Sequence, residues 1–426
     1  MSSSTVRRRL EVFRTQPFWF ACADVLAMLL AVLLPWSTSI FLILVVPFLL
    51  IVCVSVDVDA FRRSFSRAPS LVSVGFLFLA VAGMFWSEAA RSDGSRALGS
   101  VVKFLALPFF LYYFELSRRG AWVLAAFLVS CTVLMIYSWV ITFEPVWALK
   151  TGRCCGEDYG VPVRNYIDQS QEFGICLVVL ISAGLYGLKE RAWQYPAAVW
   201  AIASLFAANL VFVVTSRTAL ICIPVMLGVV AWRHAKMRGL LVAIGLGGAV
   251  LVTTWFASPH LRERILSVQA QFLEYRDSDI PSSVGKRIEF WNKSIRFFRE
   301  APVFGHGTGS IHGLFEQDAV GRSGTSAEII ANPHNQTLSV AIQWGVLGLI
   351  ALYTLWFVHL GMFLRGGFIA ELGLLVIVQN MVGSLFNSHL FDFSEGWLYM
   401  LGVGVAGGLV ARHLKERGSP TAEVNL

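Results

Sequence analysis

The sequence predicts an all-α polytopic membrane protein with about twelve transmembrane helices and one large helical loop outside the bilayer. Two observations carry that reading. Of the 426 residues, 56% are hydrophobic and only 14% charged, well under the roughly 25% charged residues of an ordinary globular chain, and mean hydropathy is +0.66. Apolar runs also recur along nearly the whole chain, each long enough to cross a hydrocarbon layer of roughly 30 Å as a helix.

The predicted spans cover 18–34, 38–56, 71–88, 98–116, 121–143, 169–188, 197–214, 218–232, 240–257, 336–360, 368–385 and 395–411. Repeated spans argue against a cleaved leader as the explanation of the first one. Arg7, Arg8, Arg9 and Arg14 precede the first span. Arg62, Arg63 and Arg67, then Arg118 and Arg119, Lys189 and Arg191, Arg233, Lys236 and Arg238, Arg365, and Arg412, Lys415 and Arg417 fall on alternate connections. Lys and Arg collect in short cytoplasmic loops, so both termini are expected in the cytoplasm. The chain divides into a membrane region of nine helices (1–257), an outside loop (258–335), and three further helices with a cytoplasmic tail (336–426).

Within the loop, Leu261, Ile265, Val268 and Phe272 recur at helical spacing, as do Ile288, Trp291, Ile295 and Phe298, predicting two amphipathic helices. Pro302 ends the second, and Gly305-His306-Gly307-Thr308-Gly309 forms a flexible turn. Nine Lys/Arg balance nine Asp/Glu across 258–335. The net charge of +7 therefore resides mainly in the inside loops, which removes the case for nucleic-acid binding. The seven cysteines show no zinc-type spacing, and the adjacent Cys154 and Cys155 make a poor disulfide framework.

Ionisable groups at membrane depth are costly and mark candidate sites. Arg217 lies in a tight outside hairpin, Thr215-Ser216-Arg217, where charge bias predicts no arginine; it is either an anion-binding residue or a snorkelling one. Lys103, with Arg91 and Arg96 before it, forms a possible basic rim. Arg264 and Arg287 flank the apolar stripes of the loop helices, and an arginine fork suits phosphate oxygens. His334 stands out among eight histidines because Pro333 restricts the chain before it and a helix follows at once. A neutral imidazole so held can take a proton from a hydroxyl, with Asn332 or Asn335 fixing its tautomer. The plainer alternative makes one of those asparagines a helix cap and His334 a bystander.

Other patterns fail on context. Asn335-Gln336-Thr337 matches a glycosylation acceptor but abuts a span. Asp57-Val58-Asp59 and Asp277-Ser278-Asp279 have no neighbouring ligand cluster, and the glycine turn follows a helix where a dinucleotide loop needs a strand. No cofactor and no metal are called for.

The blocks "RIEFWNKSIRFF", "EAPVFGHGTGS" and "NPHNQTLSVAIQWGVLGL", with "TSRTAL" upstream, resemble the bacterial O-antigen ligase and polymerase superfamily. That resemblance implies a GT-C-like glycosyltransferase of the Gram-negative inner membrane, working on the periplasmic side with an undecaprenyl diphosphate-linked glycan as donor. Carried over by motif, His334 matches the essential histidine, Arg217 the arginine between spans and Arg287 the arginine opening the loop helix. His306 is a departure, since many members have an apolar residue there. Among relatives, a ligase uses a lipid A-core sugar hydroxyl as acceptor, a polymerase another repeat unit, and an oligosaccharyltransferase a protein Ser or Thr. Length and span number favour the ligase. A transporter or flippase is the reading of another class; the absence of a visible repeat and the outside placement of the charges weigh against it.

Overall fold

The computed structural model describes residues 17–147, 149, 159–189, 194–214, 216–257, 262–263, 266–267 and 283–417. Its α-helices are α1 (Pro17–Leu33), α2 (Thr38–Val54), α3 (Val58–Phe65), α4 (Ala68–Ala82), α5 (Arg91–Val101), α6 (Ala106–Leu116), α7 (Gly120–Phe143), α8 (Tyr166–Lys189), α9 (Gln194–Phe212), α10 (Arg217–Ala257), α11 (Ser283–Glu300), α12 (Ser310–Ala319), α13 (Gln336–Gly361), α14 (Phe368–Gly383) and α15 (Phe393–Arg417). No strand occurs among the described residues.

The predicted spans overlap these helices, with 98–116 running through α5, the turn Val102–Leu105 and α6. Among the described residues seven helical stretches are long and apolar enough to cross a membrane, one of them Arg91–Leu116 running through α5 and α6, or eight if α2 and α3, bent by 118°, count as one span; α1, α4 and α14 are shorter apolar helices. The predicted spans 218–232 and 240–257 are both parts of α10, which breaks at Ala235 and Lys236. Arg264 and most of the first amphipathic loop helix lie outside the described residues, as do Cys154, Cys155, Asp277 and Asp279.

The basic connections converge on one end of the bundle. Glu115 at the end of α6 bonds both Arg67 and Lys415, joining three connections. Arg233 ion-pairs with Glu371 at 3.2 Å and donates to the carbonyls of Phe363 and Gly366, tying α10 to α14. Asp24 in α1 accepts from Tyr113 and Ser117. These buried carboxylates are tethers between helices, the usual requirement for charge at such depth. Asp57 caps α3 by accepting from the Ala60 N–H, which accounts for the first of the acidic pairs.

The opposite end is built around one broken helix. Gly345 in α13 has φ 59° and ψ −149°, a conformation that residues with a side chain rarely adopt. A Cβ there would lie 2.4 Å from the Val303 carbonyl oxygen. The backbone groups released by the break pair with the segment after α11: Val346 N–H donates to Pro302 O, while His306 and Gly307 N–H donate to Ile342 and Gln343 carbonyls. Gly305, Gly307 and Gly309 all have positive φ and press backbone against α13, Ser87 and Gly94 respectively. Thr308 donates from its hydroxyl to Ala80 O and from its amide to Gly83 O. This docking explains why α4 stops at Ala82, where the sequence predicts continuation to 88.

The loop helix α11 also presents a face different from the predicted one. Phe290 and Phe297 are buried with Ile311, Phe315 and Ile342, whereas Ile295 is 39% exposed. The apolar stripe is displaced because Lys293 turns inward to pair with Asp318 of α12 at 2.8 Å. A paired lysine can occupy a position that hydrophobicity alone assigns to solvent.

We expect Gly345→Ala to destabilise the detergent-solubilised protein by about 1–3 kcal/mol, read as a lowered Tm. An unchanged Tm would show that the break carries no conformational constraint.

Candidate active site

The segment Asn332-Pro333-His334-Asn335 is fixed by its own side chains. Asn332 Oδ1 accepts the His334 N–H at 2.9 Å, and Asn335 Oδ1 accepts the Leu338 N–H at 3.0 Å, capping α13. Between them His334 takes φ 55°, a left-handed conformation that a bulky residue adopts only when its surroundings impose it. Trp291 of α11 donates to Pro333 O, and Asn335 Nδ2 donates to Leu385 O. Phe290 lies 6.4 Å from the imidazole, ring centroid to ring centroid.

The histidine's tautomer is set from the connection between α14 and α15. Asn387 Nδ2 donates to Asp392 Oδ2 at 2.6 Å. An ionised carboxylate only accepts, so the amide oxygen of Asn387 must face the other way, toward His334 Nδ1 at 2.9 Å. An acceptor at that place requires Nδ1–H, which leaves the lone pair on Nε2. Asn332 Nδ2 also donates to Asn387 Oδ1, and Ser388 donates to Asn332 Oδ1. Burial, reinforced by the charge of Arg287, pushes the His334 pKa below the ordinary histidine value, against the pull of Asn387 and Asp392. The ring is therefore neutral at pH 7, with its acceptor nitrogen available.

Behind this group lies an ion-paired set. His389 is buried, with Nδ1 3.5 Å from Asp392 and 3.7 Å from Glu395. Burial opposes its charge, but Glu395 and Asp392 outweigh it and raise the pKa to about 10. Its ligand atoms and those of the two carboxylates lie within 4.8 Å, and the imidazolium supplies the counter-charge inside that group.

The structure sorts the other predicted residues. Arg287 stands on α11 one turn before Phe290 and acts on His334 through its charge. Arg217 opens α10 and donates to Ser267 at 3.0 Å; the adjoining Ser216 is bonded to Ser170 of α8. Arg91 is exposed at the start of α5.

Two expectations need correction. Lys103 is not part of a basic rim. It is buried, and its Nζ donates to the Phe391 and Asp392 carbonyls, anchoring the connection that carries Asn387. Asn335 is the helix cap and not the tautomer-setting partner or a free substrate contact; both amide atoms are engaged, which also removes it as a glycosylation acceptor. His306 is likewise engaged, with Nε2 donating to Phe297 O. Sequence reasoning missed Asn387 and Asp392. The available signal was the polar stretch "FNSHLFDFSEG" in the last outside connection.

Fold and site together define a multi-pass helical membrane protein with a neutral, oriented histidine at one end of its bundle. Residues 201–353 match the family model for O-antigen ligase. The match contains His334, Arg217 and Arg287, whereas Asn387 and Asp392 lie beyond it. A search of curated proteins found no match.

Labelling the histidines with ¹⁵N should show His334 as the Nδ1–H tautomer, and Asn387→Ala should mix the two forms. A dominant Nε2–H form in the unmodified protein would contradict the assigned chain of hydrogen bonds.

Proposed function

We propose that the protein is an inner-membrane O-antigen ligase. It transfers glycan from undecaprenyl diphosphate to a sugar hydroxyl of lipid A-core oligosaccharide at the periplasmic face. The observation that carries this reading is the neutral His334 whose Nε2 is held as an acceptor by Asn387 and Asp392. A positioned base of that kind removes the proton from an attacking hydroxyl and contributes typically 10²–10⁴-fold. In this reading the architecture is GT-C-like with about twelve spans, divided as 1–257, 258–335 and 336–426, and both termini are cytoplasmic.

The reaction is direct displacement with inversion at the anomeric carbon. The acceptor oxygen forms the new C–O bond, its proton passes to His334 Nε2, and the C–O bond to the lipid diphosphate breaks. Negative charge grows on the departing phosphate oxygens, where Arg217 and Arg287, with Arg264, are assigned. Each charge-assisted hydrogen bond contributes about 1.5–3 kcal/mol, so two supply roughly two to four tenfold factors without a metal. Arg91 is assigned to the outer approach.

His334→Ala should cut glycan transfer by about 10²–10⁴-fold in proteoliposomes while leaving membrane insertion intact, and normal transfer would sink the base assignment. Arg217→Lys should recover only part of the activity lost in Arg217→Ala, because the planar fork is gone. The acid limb of the pH–rate profile should fall at a midpoint below about 6.5, since transfer needs neutral His334. Removing a nearby positive charge makes the imidazolium less costly, so in Arg287→Gln that midpoint should move to higher pH; a downward move would contradict the electrostatic role. In cells, deletion should leave polymerised glycan on its lipid carrier and lipopolysaccharide without O-antigen. Single-repeat capping would instead identify a polymerase, and lipid movement without glycan transfer a flippase.

A further inference from the structure

Two cavities flank the His334 group, and their chemistry differs. One, of about 300 Å³, is lined by Arg164, Asn165, Asp168, Asn387, Asp392 and Ser394 among others, on the side of α8 and α15. The other, of about 270 Å³, lies between α5, α12 and the start of α13. The polar part of its wall includes Asp93, Arg96, His312, Asn332, Ser388 and Asp392, with Phe391 and Ile311 as apolar surface.

The charges of this second cavity are already committed. Asp93 holds Arg96 at 3.2 Å and His312 at 3.1 Å, so both basic residues of the wall share a carboxylate. Asp392 adds a second negative group that belongs to the His334 chain. A lipid diphosphate, carrying net negative charge, meets no uncommitted cation among these lining residues and is repelled by Asp392. A sugar suits the wall: hydroxyls donate to carboxylates and accept from side-chain N–H groups, while the C–H face of the ring covers Phe391 and Ile311. The volume, at the small end of the roughly 300–1,000 Å³ range of ligand pockets, holds a sugar or two and no lipid. The cavity also reaches residues that hold the catalytic group in place, although His334 itself is not among those that line it. Asn332 accepts the His334 N–H, and Ser388 and Asp392 flank Asn387 in the same network.

We propose that this cavity, between α5, α12 and α13, binds the terminal sugar of the acceptor glycan, placing the acceptor on the opposite side of His334 from the diphosphate. The assignment rests on the glycan-transfer reading and gives that reading a direction. Arg217 and Arg287 are outside the wall of this cavity, which leaves the donor headgroup a separate approach.

Two variants of the full chain test it. Ser100 is a lining residue whose hydroxyl bonds only locally, to Ala97 O, so Ser100→Phe fills the cavity without stripping a partner from another helix. Asp93→Asn keeps the shape and removes the charge. Binding of deacylated core oligosaccharide to detergent-solubilised protein, and of lipid diphosphate-linked glycan in parallel, is measured alongside transfer. Acceptor KM should rise at least tenfold in Ser100→Phe and at least threefold in Asp93→Asn, with donor binding unchanged within twofold. Loss of donor binding, or unchanged acceptor KM and oligosaccharide binding in both variants, overturns the assignment. If the unmodified protein binds the oligosaccharide and Ser100→Phe does not, yet no transfer occurs, the sugar site stands and the ligase reading fails.

Discussion

The break at Gly345 is the constraint on which the outer end of the bundle depends. A helix normally satisfies its amides internally, and opening one exposes donors and acceptors that cost free energy unless paired. Here the segment after Pro302 supplies those partners, so the loop is joined to α13 by backbone hydrogen bonds as well as by side chains. The three positive-φ glycines allow main chain to reach main chain at the same place. Packing of α11 and α12 on α13 follows, and with it the position of Trp291, which holds Pro333.

That arrangement makes His334 a junction of two independent supports. From one side α11 brings Phe290, Trp291 and the charge of Arg287; from the other, the connection before α15 brings Asn387 and Asp392. The left-handed backbone of His334 is the local cost, offset by bonds to Asn332 and by the cap at Asn335. Lys103 anchors the connection through the Phe391 and Asp392 backbone carbonyls, His389 lies beside the Asp392 carboxylate, and the bond that this carboxylate accepts from Asn387 Nδ2 turns the Asn387 amide oxygen toward His334. Loss of the Asp392 carboxylate would thus be transmitted to the base through a single amide.

Much of this was legible in the sequence, and the failures have physical causes. Apolar run length located the helices because hydrocarbon thickness sets it. It did not locate breaks, since Gly345 sits in an uninterrupted apolar run and its conformation is dictated by Val303 across the fold. Periodicity found α11 but misplaced its buried face, because a lysine satisfied by Asp318 counts as polar in sequence and as core in space. His334 and Arg217 were singled out by their placement near membrane boundaries, and Arg287 by its place beside the apolar stripe of a loop helix. Asn387 was not, because nothing within the local pattern announces that an asparagine 53 positions away will orient the imidazole.

The same asymmetry explains why neighbouring polar residues at the site have different fates. Asn332, Asn335 and Lys103 each lie close to the catalytic group in sequence or in space, but their polar atoms are engaged within the fold: a turn tied to Asn387 and Ser388, a helix cap and an anchored loop. A side chain that saturates its hydrogen bonds within the fold has little left to give a substrate. His334 differs because one ring nitrogen is spent on Asn387 while the other is kept as an acceptor. The division of labour within that single ring, one nitrogen for position and one for chemistry, is the feature that separates a base from a structural histidine such as His359, whose two nitrogens are met by Tyr399 and the Pro69 carbonyl.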